Sequence, residues 1–65
     1  MKPKYDVEVE LTGHDGNAFA ILGRVLAGLR KAKATEKDIK AFRVEATNGD
    51  YDHLLQTCMK WVEVV

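Results

Sequence analysis

Between Ala18 and Leu29 every residue except Arg24 is apolar or small. Ala18, Ile21, Leu22, Val25, Leu26 and Leu29 recur at i, i+3, i+4 and i+7, the spacing of an amphipathic helix. Gly16, Ala20, Gly23 and Ala27 form a line of small residues along another side, and Phe19 falls off the centre of the main stripe. An interior glycine costs a helix roughly 1 kcal/mol against alanine. Gly23 and Gly28 therefore suggest close approach by another backbone, or a local kink. Such a helix needs cover over most of its circumference, and 65 residues supply one domain (residues 1–65) with a small core. Chains of this size bury only about 60% of the surface their unfolded state exposes. Cys58 is the only cysteine, so no disulfide forms within the chain. A second copy of the chain is the economical cover, and a homo-oligomer with this helix at an interface is expected.

The rest of the chain is built around that helix. Tyr5, Val7, Val9 and Leu11 alternate with Asp6, Glu8, Glu10 and Thr12, which predicts a strand buried on one side. Thr12–Asn17 is a turn, and Asp15 is the best N-cap candidate for a helix from about Gly16 to Lys31 or Ala32. Thr35, followed by Glu36 and Asp38, caps a second helix over about 36–46, with Ile39, Phe42 and Ala46 as a narrow apolar stripe. Lys37, Lys40, Arg43 and Glu45 are expected in solvent. Asn48 or Gly49 should supply a left-handed residue that stops this helix. Asp50 caps a third helix whose apolar face is Leu54, Leu55, Cys58, Met59 and Val62, with Tyr51 at its start. Trp61 to Val65 favour extended structure and are expected to pair with the first strand. The fold class is α+β, a small, mostly helical β-α-α-α domain with a short terminal strand.

Ten basic and ten acidic side chains cancel, with a pI near 6.7. That argues against non-specific nucleic-acid binding, which rests on neutralising several phosphates. Arg24, Arg30, Lys31, Lys33, Lys37, Lys40 and Arg43 nonetheless cluster in the middle third. The longest unbroken apolar run, Ala18 to Leu22, is too short to cross a bilayer. Alternating residues follow the basic start rather than an apolar core, so no signal peptide is expected. A lone thiol suits a reducing cytoplasm.

Chemistry-bearing residues are few. Gly13-His14-Asp15-Gly16-Asn17 could present helix N-terminal amides to a phosphate or carboxylate, yet it matches neither a P-loop nor a dinucleotide fingerprint. Asp15 would also occupy the anion's place, and a simple capped helix start is the commoner meaning. His14, Asp15, Asp50, Asp52 and His53 would suit a metal or acid–base chemistry only if two loops met, and no metal-ligand spacing demands it. Cys58 lies on an apolar face without a nearby base, as a structural thiol does. Tyr51 or Trp61 could stack on a base with Arg24 or Arg43 reaching phosphate, although core and interface are the commoner places for such aromatics.

The blocks Asp15–Gly23 (DGNAFAILG) and Gly49–Gln56 (GDYDHLLQ) resemble a family of very small uncharacterised proteins found in phages, prophages and bacterial genomes. The resemblance covers nearly the whole chain and brings no catalytic residues with it. It implies a cytoplasmic, mobile-element protein of the kind recruited against host defence. Some small phage proteins of other families sequester signalling nucleotides between subunits, an analogy of size and lifestyle only. The leading expectation is a non-catalytic homo-oligomer that sequesters a small phosphorylated ligand through His14, Asp15, Gly16, Asn17, Arg24, Arg43, Tyr51 and Trp61. The alternatives are a protein–protein inhibitor or adaptor acting on a host protein and, more weakly, a metal-dependent enzyme. No cofactor, resident metal or membrane partner is expected.

Overall fold

The computed structural model describes residues 3–11 and 16–65. Its elements are β1 (Glu8–Val9), α1 (Ala18–Lys31), α2 (Glu36–Ala46), α3 (Tyr51–Trp61) and β2 (Glu63–Val64), the expected order. The strands pair in parallel, Glu8 opposite Glu63 and Val9 opposite Val64. A parallel pair needs a long crossover, here the three helices together. The alternation of residues 5–11 holds: Tyr5, Val7, Val9 and Leu11 turn inward while Asp6, Glu8 and Glu10 are exposed. The regular ladder is much shorter than the expected strand, because its partner is only the short tail after α3. Beyond the ladder, Lys4 N–H donates to Lys60 C=O and Tyr5 N–H to Trp61 C=O, both at 2.9 Å.

The core follows the helical stripes. Ile21, Val25 and Leu29 of α1, Phe42 and Ala46 of α2, and Leu54, Cys58 and Trp61 of α3 are buried with Val9 and Val62. Thr57, which the apolar pattern passes over, is also buried, its hydroxyl donating to the His53 carbonyl at 2.8 Å. That bond removes the cost of burying a hydroxyl. Trp61 departs most from expectation. It ends α3 rather than starting an extended tail, since its ring fills the space between α2 and the N-terminal segment. Phe42 meets it edge-on at 5.8 Å, and Tyr5 stacks on it at 6.4 Å. Its indole N–H donates to Glu45 at 2.8 Å, so Glu45 is a half-buried acceptor rather than a solvated charge. Lys4 sits 4.5 Å above the indole and 3.8 Å from Asp38.

Helix ends show where local signals suffice. Thr35 and Asp50 cap α2 and α3 as expected, accepting from Asp38 N–H and His53 N–H. The first helix starts later than expected: its cap is Asn17, whose side chain accepts from Phe19 N–H at 2.8 Å. The proposed cap Asp15 lies outside the described residues. Neither Asn48 nor Gly49 is left-handed. Gly49 is needed for space instead, since a Cβ there would sit 2.8 Å from the His53 ring.

The left-handed residue is Lys33, with φ 62°, at the end of α1. Ala34 N–H bonds Leu29 C=O and Lys33 N–H bonds Arg30 C=O, the paired bonds of a Schellman ending. That conformation crowds a Cβ against the carbonyl at a cost of about 1 kcal/mol. Lys33→Gly should therefore stabilise the protein by about 1 kcal/mol and raise its melting temperature by about 5 °C in a thermal scan. An unchanged or lower melting temperature would contradict this account of the turn.

The two helical glycines of α1 have different reasons. A Cβ on Gly28 would lie 2.6 Å from a methyl of Val9, so this glycine lets the strand lie close against the helix. The close neighbour is a side chain of the same chain, not another backbone. A Cβ on Gly23 would meet nothing within 4 Å.

Candidate functional site

Three large apolar side chains of α1 and α3 stand in solvent: Phe19 is 82% exposed, Met59 56% and Tyr51 46%. Their exposure follows from helical phase. Phe19 lies to one side of the Ile21–Val25–Leu29 stripe. Met59 follows buried Cys58 by one residue, about 100° further round the helix. Tyr51 occupies the first turn of α3, where its hydroxyl donates to the Gly16 carbonyl and ties α3 to the approach to α1.

Tyr51 is the ridge between two shallow apolar grooves. One, of about 270 Å³, runs between the start of α1 and the α2–α3 turn, lined by Ala18, Phe19, Leu22, Ala46, Thr47, Gly49, Asp50, Tyr51 and Leu54. The other, of about 290 Å³, is lined by Leu11, Gly16, Ile21, Tyr51, Leu55, Met59 and Val64. Asp50 is the single charged residue along either wall. These walls suit the displacement of water by apolar surface, and they bring no cation to a phosphate.

The residues expected to share a ligand do not share one groove. Gly16 and Tyr51 meet, and Asn17 sits beside them as the α1 cap. Arg24 is exposed on α1 and lines neither groove at Tyr51. Arg43 lies instead in an open groove of about 490 Å³ between α1 and α2, with Arg30, Glu36, Lys37, Ile39 and Lys40. Trp61 is 6% exposed and enclosed by Tyr5, Phe42 and Lys4, so it offers no open face for stacking. His14 and Asp15 lie outside the described residues.

The remaining reactive side chains have structural partners. The Nε2 of His53 lies 2.8 Å from the Glu45 carbonyl and locks α3 to the end of α2. Asp52 accepts from Gln56, and Asp50 caps α3. Among the described residues, no three His, Cys, Asp or Glu side chains gather as metal ligands would. The Tyr5 hydroxyl donates to Asp38, and that bond, then partial burial and the carboxylate's charge, hold its pKa above the usual phenol value. Burial pushes the Cys58 thiol up to about 11.

The sequence pattern singled out Tyr51 and its neighbour Gly16, but it also grouped them with Arg24, Arg43 and Trp61, which line neither groove at Tyr51. Phe19 was visible only as an apolar residue off its stripe, and that misfit was the available signal for the exposed face. No helix among the described residues is long and apolar enough to cross a membrane. No family model, curated protein or solved structure matches this chain.

Proposed function

We propose that this chain is a non-catalytic binding protein that docks a protein surface on the face formed by Phe19, Tyr51 and Met59. The observation that carries this is the pair of apolar grooves flanking Tyr51, with three large apolar side chains exposed around them. Contiguous exposed apolar surface of this kind marks interaction sites, and an aromatic set between hydrophobic grooves is the usual anchor of an interface. The buried, protonated Cys58 and the engaged His53 support a role without catalysis. The cytoplasmic, phage-type setting implied by the sequence blocks belongs to the same proposal.

Site-specific photocrosslinking in the producing cells tests it. A benzophenone side chain at position 19 should give covalent protein adducts, whereas one at Lys40, outside the apolar face, should give none. An absence of adducts at position 19, or equal yield at both positions, would overturn the docking reading.

A second reading is favoured by the groove between α1 and α2. Arg30, Lys37, Lys40 and Arg43 surround half-buried Ile39 there, with Glu36 as the one acid in the lining. Such a groove suits a small phosphorylated ligand, and sequestration of a signalling nucleotide would be its anti-defence use. Native mass spectrometry of the purified protein, before and after denaturation, should then show a releasable mass of a few hundred daltons. Lys40→Glu with Arg43→Glu should abolish it. Protein that binds no added mononucleotide, dinucleotide or cyclic nucleotide would remove this reading.

A further inference from the structure

We infer that the surface docked on the Phe19–Tyr51 face is a second copy of this chain, with the two α1 helices packed antiparallel across Gly23. This rests on the docking reading and names its partner.

Phe19, Gly23, Leu26 and Arg30 recur at i, i+4, i+7 and i+11 and form one line along α1. Phe19, Gly23 and Arg30 are exposed, and Leu26 is half-buried at the edge of the core. Within one chain this line has no use for a glycine at its middle. Gly28 is accounted for by Val9, whereas Gly23 faces open space and only weakens the helix. A second helix crossing at Gly23 supplies the missing reason, because a glycine lets two helix axes approach closely. In an antiparallel pair centred there, Phe19 of each copy meets Leu26 of the other.

Charge sets the direction. The last turn of α1 carries Arg30 and Lys31 and its first turn carries no acid, but Asp50 lines the groove beside Ala18 and Phe19. Antiparallel packing carries Arg30 of one copy to the start of the other α1, where Asp50 stands. Parallel packing would set the two basic ends against each other. Opposed helix dipoles favour the same choice.

The size fits as well. A standard interface takes about 800 Å² from each partner, roughly a sixth of this chain's 4631 Å² surface. Its 14-residue helix is about 21 Å long, close to the full 22–25 Å breadth of the molecule.

Sedimentation velocity from micromolar to millimolar concentration tests the inference. The wild-type chain should shift to twice its monomer mass. Gly23→Leu fills open space in the single chain but blocks the crossing. It should weaken dimerisation at least tenfold while the dilute monomer melts no lower than wild type. Arg30→Glu should weaken it too, and the salt dependence of dimerisation should fall in Asp50→Asn, which keeps the α3 cap. A wild type monomeric throughout, or a Gly23→Leu variant that dimerises normally, would overturn the inference. The crosslinker at position 19 separates the two levels. An adduct of twice the chain mass supports self-association. An adduct only with a different protein ends the self-association but leaves docking intact, and no adduct ends both.

Discussion

Phe42→Ala should sharply lower the urea midpoint of the protein. Phe42 is 0% exposed and is the largest of the fully buried side chains. It belongs to the common core and meets the edge of Trp61. Truncating a buried phenylalanine costs about 3–5 kcal/mol, from lost transfer energy and the cavity left behind. A domain of this size has only about 3–10 kcal/mol in total. Phe42→Leu keeps most of the volume and should cost markedly less. Urea titration of dilute protein, followed by the fluorescence of the single Trp61, reads both variants. A Phe42→Ala midpoint close to wild type would mean that α2 does not hold the core as described.

Cys58 should be almost unreactive until the chain unfolds, and its burial should make the fold sensitive to alkali. The thiol is 0% exposed, and desolvation raises it from an ordinary value of 9.0 to about 11. The thiolate is the reactive form. Two pKa units lower its population near pH 8 by about 100-fold, before steric exclusion is added. Iodoacetamide should therefore modify native protein far more slowly than protein in urea.

The same shift sets the pH dependence. Below about pH 9 the thiol is neutral in both states and its contribution is fully present. Between about 9 and 11 the unfolded chain releases the proton while the folded chain retains it. Stability then falls as pH rises, by on the order of 2 kcal/mol across the window. Cys58→Ala lacks the group and should lose less stability over that range. Equal alkaline losses in the two proteins, or rapid labelling of the native thiol, would contradict the burial.

Much of the fold was legible because its signals are local. The alternation of Tyr5 to Leu11 marks which side chains turn inward, since successive residues of an extended chain point to opposite faces. Thr35 and Asp50 bind amides three residues away, so their caps need nothing from the rest of the molecule. The second helix accordingly has its expected bounds, 36 to 46. The stripe Ile21–Val25–Leu29 identified the core face of α1 for the same reason of period.

The site was less legible, because it depends on residues far apart in sequence. Trp61 reads locally as part of a β-favouring tail. Its burial was decided by Tyr5, Phe42 and Glu45, between 16 and 56 residues away along the chain. Arg43 and Tyr51 are only eight residues apart, yet the turn between α2 and α3 sends them to different grooves. Periodicity and hydrogen bonds within one turn suffice for the helices, most of their caps and the inward faces. Packing of whole elements set the rest: Gly28 makes room for Val9 while Gly23 faces open space, and Tyr51 stands between a groove lined by Phe19 and another lined by Met59. Those outcomes depend on where whole elements pack, and packing follows from volumes and contacts that no short window of residues contains.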